Sequence, residues 1–557
     1  MKNTFMYEFD EKSEKYLKRH NLTVRSMKVF KLLIIRPDYG ILQGVEYAIA
    51  VIDIGMTNKK VAVYDDSLVQ LDAQYRNFEP KIVKGTTGGA ELQCHDLDAM
   101  EEWFFDELQR AGKRYPVKAI AVTTHGATFV CLGNNGTRNL SRVAALPCVY
   151  YTHEPGKDFH RRFYERFGKP AELQARTGTP AFEAMINPAK GILFAKEQFP
   201  AEFSHVSLVL PYPQYWGYRL TGKAGAENTY MGCHTYLWDQ VDKRLSSVAH
   251  DLGITECIPK TINKSWDILG CISENVADRT GLPPDTIVTM GIHDSNASLL
   301  PHFAKKGEVG FTVNSTGTWC VIMNPVREYG FAPEELGKVV FFNISAFGTP
   351  VKTAIFLGGQ EYETWTKVLM AAHKREDRLP YDEVRYLKIL KESNCFLLPE
   401  LTAGTGQFPG SKPRIVENGK TWAYEKIAGG ELPPCFTDYE QGIAVLRISL
   451  VMQSLVAIER TGLQPSSDII IEGGFRIDEA YNRLLASAFN SNKVYITNVA
   501  EATALGAAMT AKMALSGKSL AELADDFEVS YQEVEKSDIP ELASYRKAWM
   551  EQIIQNK

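Results

Sequence analysis

The sequence repeats one short unit at two places about 260 residues apart: a buried strand, a turn of glycine and hydroxyl residues, and a second strand. In the first unit, residues 47–64, an apolar run ends at Asp53 and resumes after a polar turn. In the second unit, residues 310–323, apolar runs flank the turn at 314–318. This pattern is typical of a hairpin. Because a chain of 557 residues is too long for one core, the repeat predicts two related α/β domains that face each other across a cleft.

The rest of the chain alternates between strand and helix patterns. Buried apolar runs at 119–124 and 286–290 have the composition of strands in a sheet that is covered on both faces. Apolar residues at helical spacing over 439–459 predict a long helix that faces the core, and residues 468–472 predict a short strand. No low-complexity linker interrupts the chain, so we expect the domains to share an interface.

Charge and the amino terminus argue against several classes of partner. The formal net charge is -5 and no long basic run occurs, so nothing favours nucleic acid or an anionic membrane. Residues 1–45 begin with a segment rich in Lys, Glu and Arg, and their apolar run at 29–35 is too short for a membrane span or a signal peptide. We interpret residues 1–45 as an N-terminal extension without a catalytic role.

The nine cysteines are scattered along the chain, and no two stand two or three residues apart. The spacings of zinc ribbons and of redox dithiols are therefore missing. Most of the cysteines have apolar neighbours, which predicts reduced thiols in the core and favours a cytoplasmic location.

The first turn carries residues that suit an anion and a metal. Gly55 allows backbone conformations closed to other residues, and with Thr57 and Asn58 it can direct N–H and hydroxyl donors at a phosphate. Lys60 adds positive charge, and Asp53 at the strand end could hold Mg²⁺, which prefers one or two carboxylates together with phosphate oxygens. The alternative interpretation is an ordinary hairpin turn, since Asp and Gly are common turn residues.

The second turn has the same composition, with Ser315, Thr316, Gly317 and Thr318 at a strand end. Two such turns in one chain strengthen the prediction of phosphate binding. No G-x-x-x-x-G-K-[ST] sequence occurs, so neither turn is a Walker loop. Any nucleotide phosphates would therefore lie against hairpin turns.

Asp294 follows the strand at 286–290 and precedes a run of small residues. Ligands collect at strand ends in an open α/β sheet, and a carboxylate there could accept a hydroxyl proton during phosphoryl transfer. The alternative role is a helix N-cap. His293 beside it fits a packing role, with direct chemistry as the lesser alternative.

Two glycine-containing segments in the carboxyl third allow close approach. Gly473 and Gly474 follow an apolar strand and would let a flat ring approach the backbone, although a turn explains the pair equally well. The small residues at 502–508 predict tight helix packing.

The ordered set of motifs resembles the FGGY family of carbohydrate kinases from about Tyr47 to Leu515. In chain order the motifs are Asp53-x-Gly55-x-Thr57, Thr124-His125-Gly126, Gly291-x-His293-Asp294, Ser315-Thr316-Gly317-Thr318-Trp319, Glu472-Gly473-Gly474 and Glu501-Ala502-x-Ala504-Leu505-Gly506-Ala507-Ala508. The resemblance implies two actin-like (ribonuclease H-like) domains around a central cleft that closes on sugar and Mg-ATP. It implies a sugar-binding domain at 46–294 and a nucleotide-binding domain at 295–557.

The resemblance also implies a role for each motif. Asp294 would be the catalytic base, and His293 would lie beside it at the sugar. The sugar would further contact the segment at His125 and Gly126. ATP would be bound by the two turns and the glycine pair, which together contribute Gly55, Thr57, Asn58, Lys60, Ser315, Thr316, Gly317, Thr318, Gly473 and Gly474.

Two departures from the family pattern bear on the substrate. Met56 stands where the family often has Thr, a change that a backbone-donating turn should tolerate. Where many members have a Trp-x-Asp-x-Arg-like segment, residues 151–155 offer Glu154 as a substitute acceptor for a sugar hydroxyl and lack the Arg.

The sequence thus predicts an ATP-dependent kinase of a small ketose or deoxy-ketose, of the fuculose, rhamnulose or xylulose type. The alternative is an actin-like ATPase or sugar sensor without phosphotransfer. The sugar, the hydroxyl and the oligomeric state, including a homodimer, stay open.

Overall fold

The computed structural model describes residues 45–86, 89–134, 140–376, 379–402, 404–499 and 501–554. The predicted extension at 1–45 therefore lies, apart from Val45, outside the described residues. The chain from Glu46 onward forms one compact unit. The predicted boundary at 294 within it stays a prediction.

The strands are numbered in chain order. The first sixteen are β1 (Ala48–Ile54), β2 (Asn58–Asp65), β3 (Gln70–Asn77), β4 (Lys81–Lys84), β5 (Glu91–Cys94), β6 (Val117–Thr124), β7 (Phe129–Asn134), β8 (Leu140–Ala144), β9 (Val206–Pro211), β10 (Ala226–Glu227), β11 (Trp238–Asp239), β12 (Arg244–Leu245), β13 (Ile262–Asn263), β14 (Ile268–Cys271), β15 (Ile287–Thr289) and β16 (Ile292–His293). The next ten are β17 (Phe311–Thr316), β18 (Cys320–Pro325), β19 (Val340–Ile344), β20 (Pro350–Phe356), β21 (Cys395–Leu398), β22 (Arg414–Glu417), β23 (Lys420–Ala423), β24 (Asp468–Gly473), β25 (Val494–Thr497) and β26 (Tyr531–Glu533).

The α-helices are numbered in the same way. They are α1 (Leu97–Arg114), α2 (Lys157–Phe167), α3 (Pro170–Thr177), α4 (Pro188–Gln198), α5 (Pro200–Phe203), α6 (Tyr212–Thr221), α7 (Asn228–Met231), α8 (Ser247–Leu252), α9 (Glu274–Thr280), α10 (Asp294–Lys306), α11 (Gly358–His373), α12 (Glu383–Glu392), α13 (Tyr424–Ala428), α14 (Tyr439–Arg460), α15 (Glu479–Ala488), α16 (Ala502–Ser516) and α17 (Glu541–Ile554). Short 3-10 helices lie at Pro333–Glu335, Pro434–Phe436, Gly474–Ile477 and Ala521–Asp526.

The two large sheets repeat one topology, as the paired hairpins in the sequence predict. The first sheet has the order β14-β15-β6-β1-β2-β3, with β16 also paired to β6. The second has the order β19-β20-β18-β17-β24-β25-β26. In each sheet a three-stranded antiparallel meander continues into two parallel strands and one antiparallel edge strand. The second sheet adds only β19 outside this common pattern.

A hydrophobic core joins the two sheets. It contains Ile49 and Val51 from β1 together with Val313 from β17 and Ile470 from β24, each fully buried. Separate cores lie on the far side of each sheet, one around α1 and one around α14. The expected shared interface between the halves is therefore built from apolar side chains.

Helix α16 explains how the second half reaches the first sheet. It packs against β1, β6 and α10. The crossing with α10 is so close that a β-carbon at Gly506 would lie 1.9 Å from the carbonyl oxygen of Ala297. The tight packing predicted for the small residues at 502–508 is found here.

Helix α14 is long and apolar enough to cross a membrane, with a mean hydropathy of 1.6, but 94% of that apolar window is buried in the protein. It is the helix predicted at 439–459. It is the one such helix among the described residues.

Candidate active site

Three strand ends meet at one edge of the first sheet. The β1–β2 hairpin follows β1, and the backbone N–H of His125, just after β6, donates to the Ile54 carbonyl at 2.9 Å. Strand β16 pairs with the end of β6, which brings His293 opposite Thr124. Because β1, β6 and β16 run parallel, the residues that follow them gather at the same edge, where a ligand can contact all three.

Asp294 is the first residue of α10 and follows β16 directly. The N-cap residue of the helix is His293, so Asp294 is not the N-cap of the alternative interpretation. Its Oδ1 accepts hydrogen bonds from the N–H and the hydroxyl of Ser295, at 2.6 and 3.2 Å. Burial raises the pKa of Asp294 to about 6, although the Ser295 hydrogen bonds act in the opposite direction. A carboxylate with this pKa is ionised at neutral pH and still basic enough to take a proton.

His293 holds Asp294 from the other side. Its Nε2 lies 3.2 Å from Asp294 Oδ1, and its Nδ1 lies 3.1 Å from Asn296 Nδ2. With Asn296 as the donor to Nδ1, the ring proton sits on Nε2 and points to the carboxylate. Burial lowers the pKa of His293 to about 3, so the ring is a neutral donor at physiological pH.

The buried carboxylate of Glu227 is linked to His293 through Thr229. The N–H of His293 donates to Thr229 Oγ1 at 3.0 Å, and the Thr229 hydroxyl donates to Glu227 Oε1 at 2.7 Å. Glu227 also accepts from the N–H groups of Thr229 and Tyr230 and from the Ser265 hydroxyl. Burial raises the pKa of Glu227 to about 7 against these hydrogen bonds.

Asp294 lines a cavity of about 270 Å³ whose walls come from both halves of the chain. The polar lining includes His125, His234 and Asn343, and the apolar lining is richer. The apolar residues are Ala127, Phe182, Ile186, Trp319, Val321, Phe341 and Ile355. A cavity of this size and mixed character fits a small polar molecule.

His125 lines this cavity and carries an unpaired acceptor. Its Nδ1 donates to the carbonyl of Gly126 at 2.6 Å, which leaves the lone pair on Nε2. Within the described part of the chain, Nε2 is buried and has no hydrogen-bond partner. Burial lowers the pKa of His125 to about 3, so the ring stays neutral and can accept a hydroxyl hydrogen. Gly126 lies in the same wall, where a β-carbon would meet His234 Nε2 at 2.9 Å.

The first predicted phosphate turn is a tight hairpin beside Asp294. Gly55 N–H donates to the Asn58 carbonyl at 3.0 Å, and the side chains of Thr57 and Asn58 are exposed. Lys60 Nζ lies 3.2 Å from Asp53 Oδ2 and 2.9 Å from Glu501 Oε2. Burial raises the pKa of Asp53 against the pull of Lys60, and the nearby charge of Asp294 raises it further. The ammonium group of Lys60 therefore contacts two carboxylates, those of Asp53 and Glu501.

The second turn and the glycine pair form a single structure. Thr316 pairs with Gly473 across β17 and β24, and the Thr316 hydroxyl donates to the Glu472 carbonyl and accepts from the Phe475 N–H. Gly473 has a φ of 77°, and a β-carbon there would lie 2.4 Å from the Thr316 carbonyl oxygen. Close approach of two backbones thus requires glycine at this position. Ser315, Gly317, Thr318 and Gly474 belong to the same two segments.

Glu154 lies apart from this set. It is absent from the cavity lining, and its oxygens accept from the N–H groups of Gly156 and Ala184 and lie 2.9 Å from His160 Nε2. Its side chain is 48% exposed. The structure does not bring Glu154 together with the other predicted residues, and its sugar contact stays a prediction.

Four site residues were missed by the sequence argument: Glu227, Cys233, His234 and Lys59. Lys59 is buried, and its Nζ donates to the Met56 carbonyl at 2.7 Å, which fixes the first hairpin from inside. Burial lowers the pKa of Lys59 to about 8. Glu227 had a signal, because the segment Ala226-Glu227-Asn228-Thr229 supported the family resemblance, although no role was assigned to it.

Sequence profiles of two domains match most of the chain. One, described as "FGGY family of carbohydrate kinases, N-terminal domain", matches residues 48–301. The other, described as "Carbohydrate kinase FGGY, C-terminal domain", matches residues 308–519. No curated protein sequence matches the chain.

Solved structures share the whole architecture. A carbohydrate kinase from Novosphingobium aromaticivorans is 26% identical, with a TM-score of 0.73 over 91% of this chain and 99% of that one. A ligand-bound xylulose kinase from Lactobacillus acidophilus is 18% identical, with a TM-score of 0.72 over 91% and 98%. Plasmodium falciparum glycerol kinase with ADP is 14% identical, with a TM-score of 0.71 over the same shares. These likenesses and the two repeated sheets confirm the predicted α/β fold.

Proposed function

The chain belongs to the FGGY family of carbohydrate kinases, and on that premise we propose that it transfers the γ-phosphate of ATP to a hydroxyl of a small ketose or deoxy-ketose. Fuculose, rhamnulose and xylulose are the first candidates. We place this reaction in the cytoplasm, in keeping with the scattered buried thiols.

The position of Asp294 is the observation that supports this proposal most strongly. It lines the cavity on one side, and its charge acts on Asp53 beside the first hairpin on the other. A base for phosphoryl transfer must reach both the acceptor hydroxyl and the phosphate. Asp294 stands where a sugar in the cavity and a phosphate at the hairpin would meet.

The residues around the hairpins fit ATP and Mg²⁺. ATP would supply the phosphoryl group, and Mg²⁺ would offset charge on the phosphate oxygens. Asp53 offers the carboxylate that Mg²⁺ prefers. Lys60, held between Asp53 and Glu501, offers positive charge to the phosphates. Gly473 and Gly474 are exposed and carry no side chains, which leaves their backbone accessible to the nucleotide.

Asp294 would act through Oδ2. The contacts from Ser295 and His293 all go to Oδ1, which orients the carboxylate and leaves Oδ2 for the sugar hydroxyl. As the sugar oxygen bonds to phosphorus and ADP departs, Oδ2 takes the hydroxyl proton. The neutral His293 Nε2–H stabilises the carboxylate before transfer. Closure of the cleft around the sugar and the nucleotide would exclude water, which would limit loss of phosphate to hydrolysis.

The cavity lining favours an uncharged substrate with an apolar part. No lysine or arginine occurs among the described residues that line it, so a sugar acid would lack a counter-ion. The neutral rings of His125 and His234 and the Asn343 amide can pair with hydroxyls. Phe182 and Phe341 offer an apolar surface that suits a deoxy carbon.

The experiment is ADP release with a panel of ketoses, deoxy-ketoses and polyols, combined with Asp294→Asn. We expect sugar-stimulated turnover with at least one member, and a kcat lower by about 10²–10⁴-fold in Asp294→Asn because a base contributes that much. Sugar binding, measured by calorimetry, should survive. Asp285→Asn, a change at an exposed carboxylate before β15, is the matched control and should leave kcat unchanged. ATP binding without turnover on any sugar would favour the sensor alternative instead.

A further inference from the structure

A cluster of soft metal ligands lines the cavity beside the base. We propose that Cys233 Sγ, His234 Nε2 and His293 Nε2 form a binding site for a thiophilic divalent transition metal of the zinc class. Metal bound there would block the sugar end of the active site. Metal binding itself does not depend on the proposed kinase reaction, whereas its inhibitory effect rests on it.

The three donor atoms converge. They lie within 4.8 Å of one another, and Cys233 Sγ is 3.3 Å from His293 Nε2. A β-carbon on Gly126 would lie 2.9 Å from His234 Nε2 and 3.1 Å from His293 Nε2, so both nitrogens face the same spot beside that glycine. Zinc bonds of about 2.0–2.3 Å place tetrahedral ligands roughly 3.3–3.7 Å apart. Cys233 Sγ and His293 Nε2 already lie at this spacing, and rotation of side chains would have to bring His234 Nε2 to it.

The outer contacts of both histidines suit metal ligation. His234 Nδ1 lies 3.0 Å from the Ile186 carbonyl oxygen and donates to it, which leaves the Nε2 lone pair free for a metal. His293 Nδ1 contacts Asn296, an amide whose oxygen can accept the Nδ1 proton when Nε2 binds a metal. Asn296 Oδ1 is buried and, among the described residues, has no hydrogen-bond partner. It is therefore free for this role.

The fourth position belongs to the base. Asp294 Oδ1 lies 3.2 Å from His293 Nε2, within reach of a metal held by the cluster. Two imidazoles, a thiolate and a carboxylate are a ligand set that zinc accepts in tetrahedral geometry. Cys233 would release its thiol proton to water on binding. Because Asp294 would then be shared with the metal, it could not accept the sugar proton.

A second cluster of the same residue types offers the control. Cys395, Glu417 and Cys435 also place their donor atoms within 4.8 Å of one another, but they lie in the core of the second half and away from the cavity. Glu417 there already accepts from the Cys435 N–H at 2.9 Å. The affinity for a metal that binds at the cavity should not change when Cys435 is substituted.

The test is titration of the full chain with Co²⁺, followed by competition with Zn²⁺. We expect one equivalent of Co²⁺ to bind with a thiolate-to-cobalt charge-transfer absorption that Zn²⁺ abolishes. Cys233→Ser should remove that absorption and weaken binding by at least about 100-fold, since a ligand counts for more than its outer contacts. His234→Gln keeps the thiol and should weaken binding to a similar extent. It is the test variant to use if Cys233→Ser does not fold. Cys435→Ser should change nothing.

Loss of the absorption in Cys435→Ser, or its absence in the unaltered protein, would overturn the proposal. Inhibition is tested separately. Zn²⁺ should raise the KM for the sugar substrate, and excess sugar or a chelator should restore the rate. Because the Co²⁺ spectrum needs no substrate, failure of the kinase proposal and failure of the metal proposal give different results.

Discussion

The protonation state of Asp294 sets the range of pH in which the proposed chemistry can run. Burial raises the pKa of this carboxyl to about 6, above the ordinary 3.8. The base must be ionised to accept a proton, so kcat/KM should fall tenfold per pH unit below about pH 6. A carboxyl with an ordinary pKa would keep the profile flat to well below pH 5. The measurement is kcat/KM for the sugar as a function of pH, with ATP held at a saturating concentration.

Other titrating groups near Asp294 can be separated by variants. His293 stays neutral across this range because burial lowers its pKa to about 3. Glu227, which supports His293 through Thr229, has a pKa raised by burial to about 7 and is the main competitor for the inflection. The inflection near pH 6 should persist in Glu227→Gln. Its disappearance in that variant would assign the titration to Glu227.

At the scale of single residues, the sequence predicted candidate site residues that belong to motifs and missed those that do not. The position of Asp294 at a strand end could be predicted because it follows an apolar strand and precedes small residues, and its role as the base stays a prediction that the family resemblance implies. The place of Lys59 in the site could not be predicted. Side chains alternate along a strand, so Lys59 and Lys60 lie on opposite faces of the sheet. The sheet is covered on both faces there, and both lysines are buried, 1% and 6% exposed. Cys233 and His234 lie after a one-turn helix in a segment without periodicity.

At the scale of elements, the second hairpin and β24 depend on one another through Gly473. A β-carbon there would lie 2.4 Å from the Thr316 carbonyl, so Gly473→Ala must displace the turn at 315–318. If that turn binds nucleotide, the KM for ATP should rise at least tenfold while the KM for sugar changes little. The measurement is steady-state kinetics with each substrate varied.

The matched control for Gly473→Ala is Gly462→Ala. Gly462 has nearly the same φ, 79° against 77°, but a β-carbon there meets nothing within 4 Å. It therefore reports the cost of a positive φ for alanine without the collision. Gly473 has in addition a ψ of -149°, in a region that is essentially confined to glycine, so its own backbone adds to the cost of alanine there. Equal increases in both KM values for Gly473→Ala, with Gly462→Ala unaffected, would show that the glycine pair serves the fold alone.

Most elements were predictable because apolar runs and turn residues mark them. The strand predicted at 468–472 is β24, Asp468–Gly473, and the predicted hairpins are β1–β2 and β17–β18. The position of Glu154 relative to the cavity was not predictable. It depends on how the loop after β8 folds against Ala184, a contact between segments that carry no pattern linking them.

At the scale of the whole molecule, the core between the sheets should make the two halves unfold together. It contains fully buried residues of β1, β17 and β24, and α16 adds contacts from the second half to the first sheet. Proteins with two domains often unfold in steps, because little apolar area joins the domains. Separating these halves would expose a continuous core, which costs about 25 cal/mol for each Å² of apolar surface.

Native-state hydrogen exchange can test this cooperativity with a change confined to the first half. Leu108 is fully buried in the core around α1, away from the second sheet. Leu108→Ala should destabilise that core by about 2–5 kcal/mol. If the halves unfold as one, the slowest amides of β24 should lose protection by the same free energy. Lys113→Ala, an exposed change on the same helix, is the control and should leave β24 unchanged. Unaltered protection of β24 in Leu108→Ala would instead mean that the second half unfolds independently, and that the shared core contributes little to holding the cleft in shape.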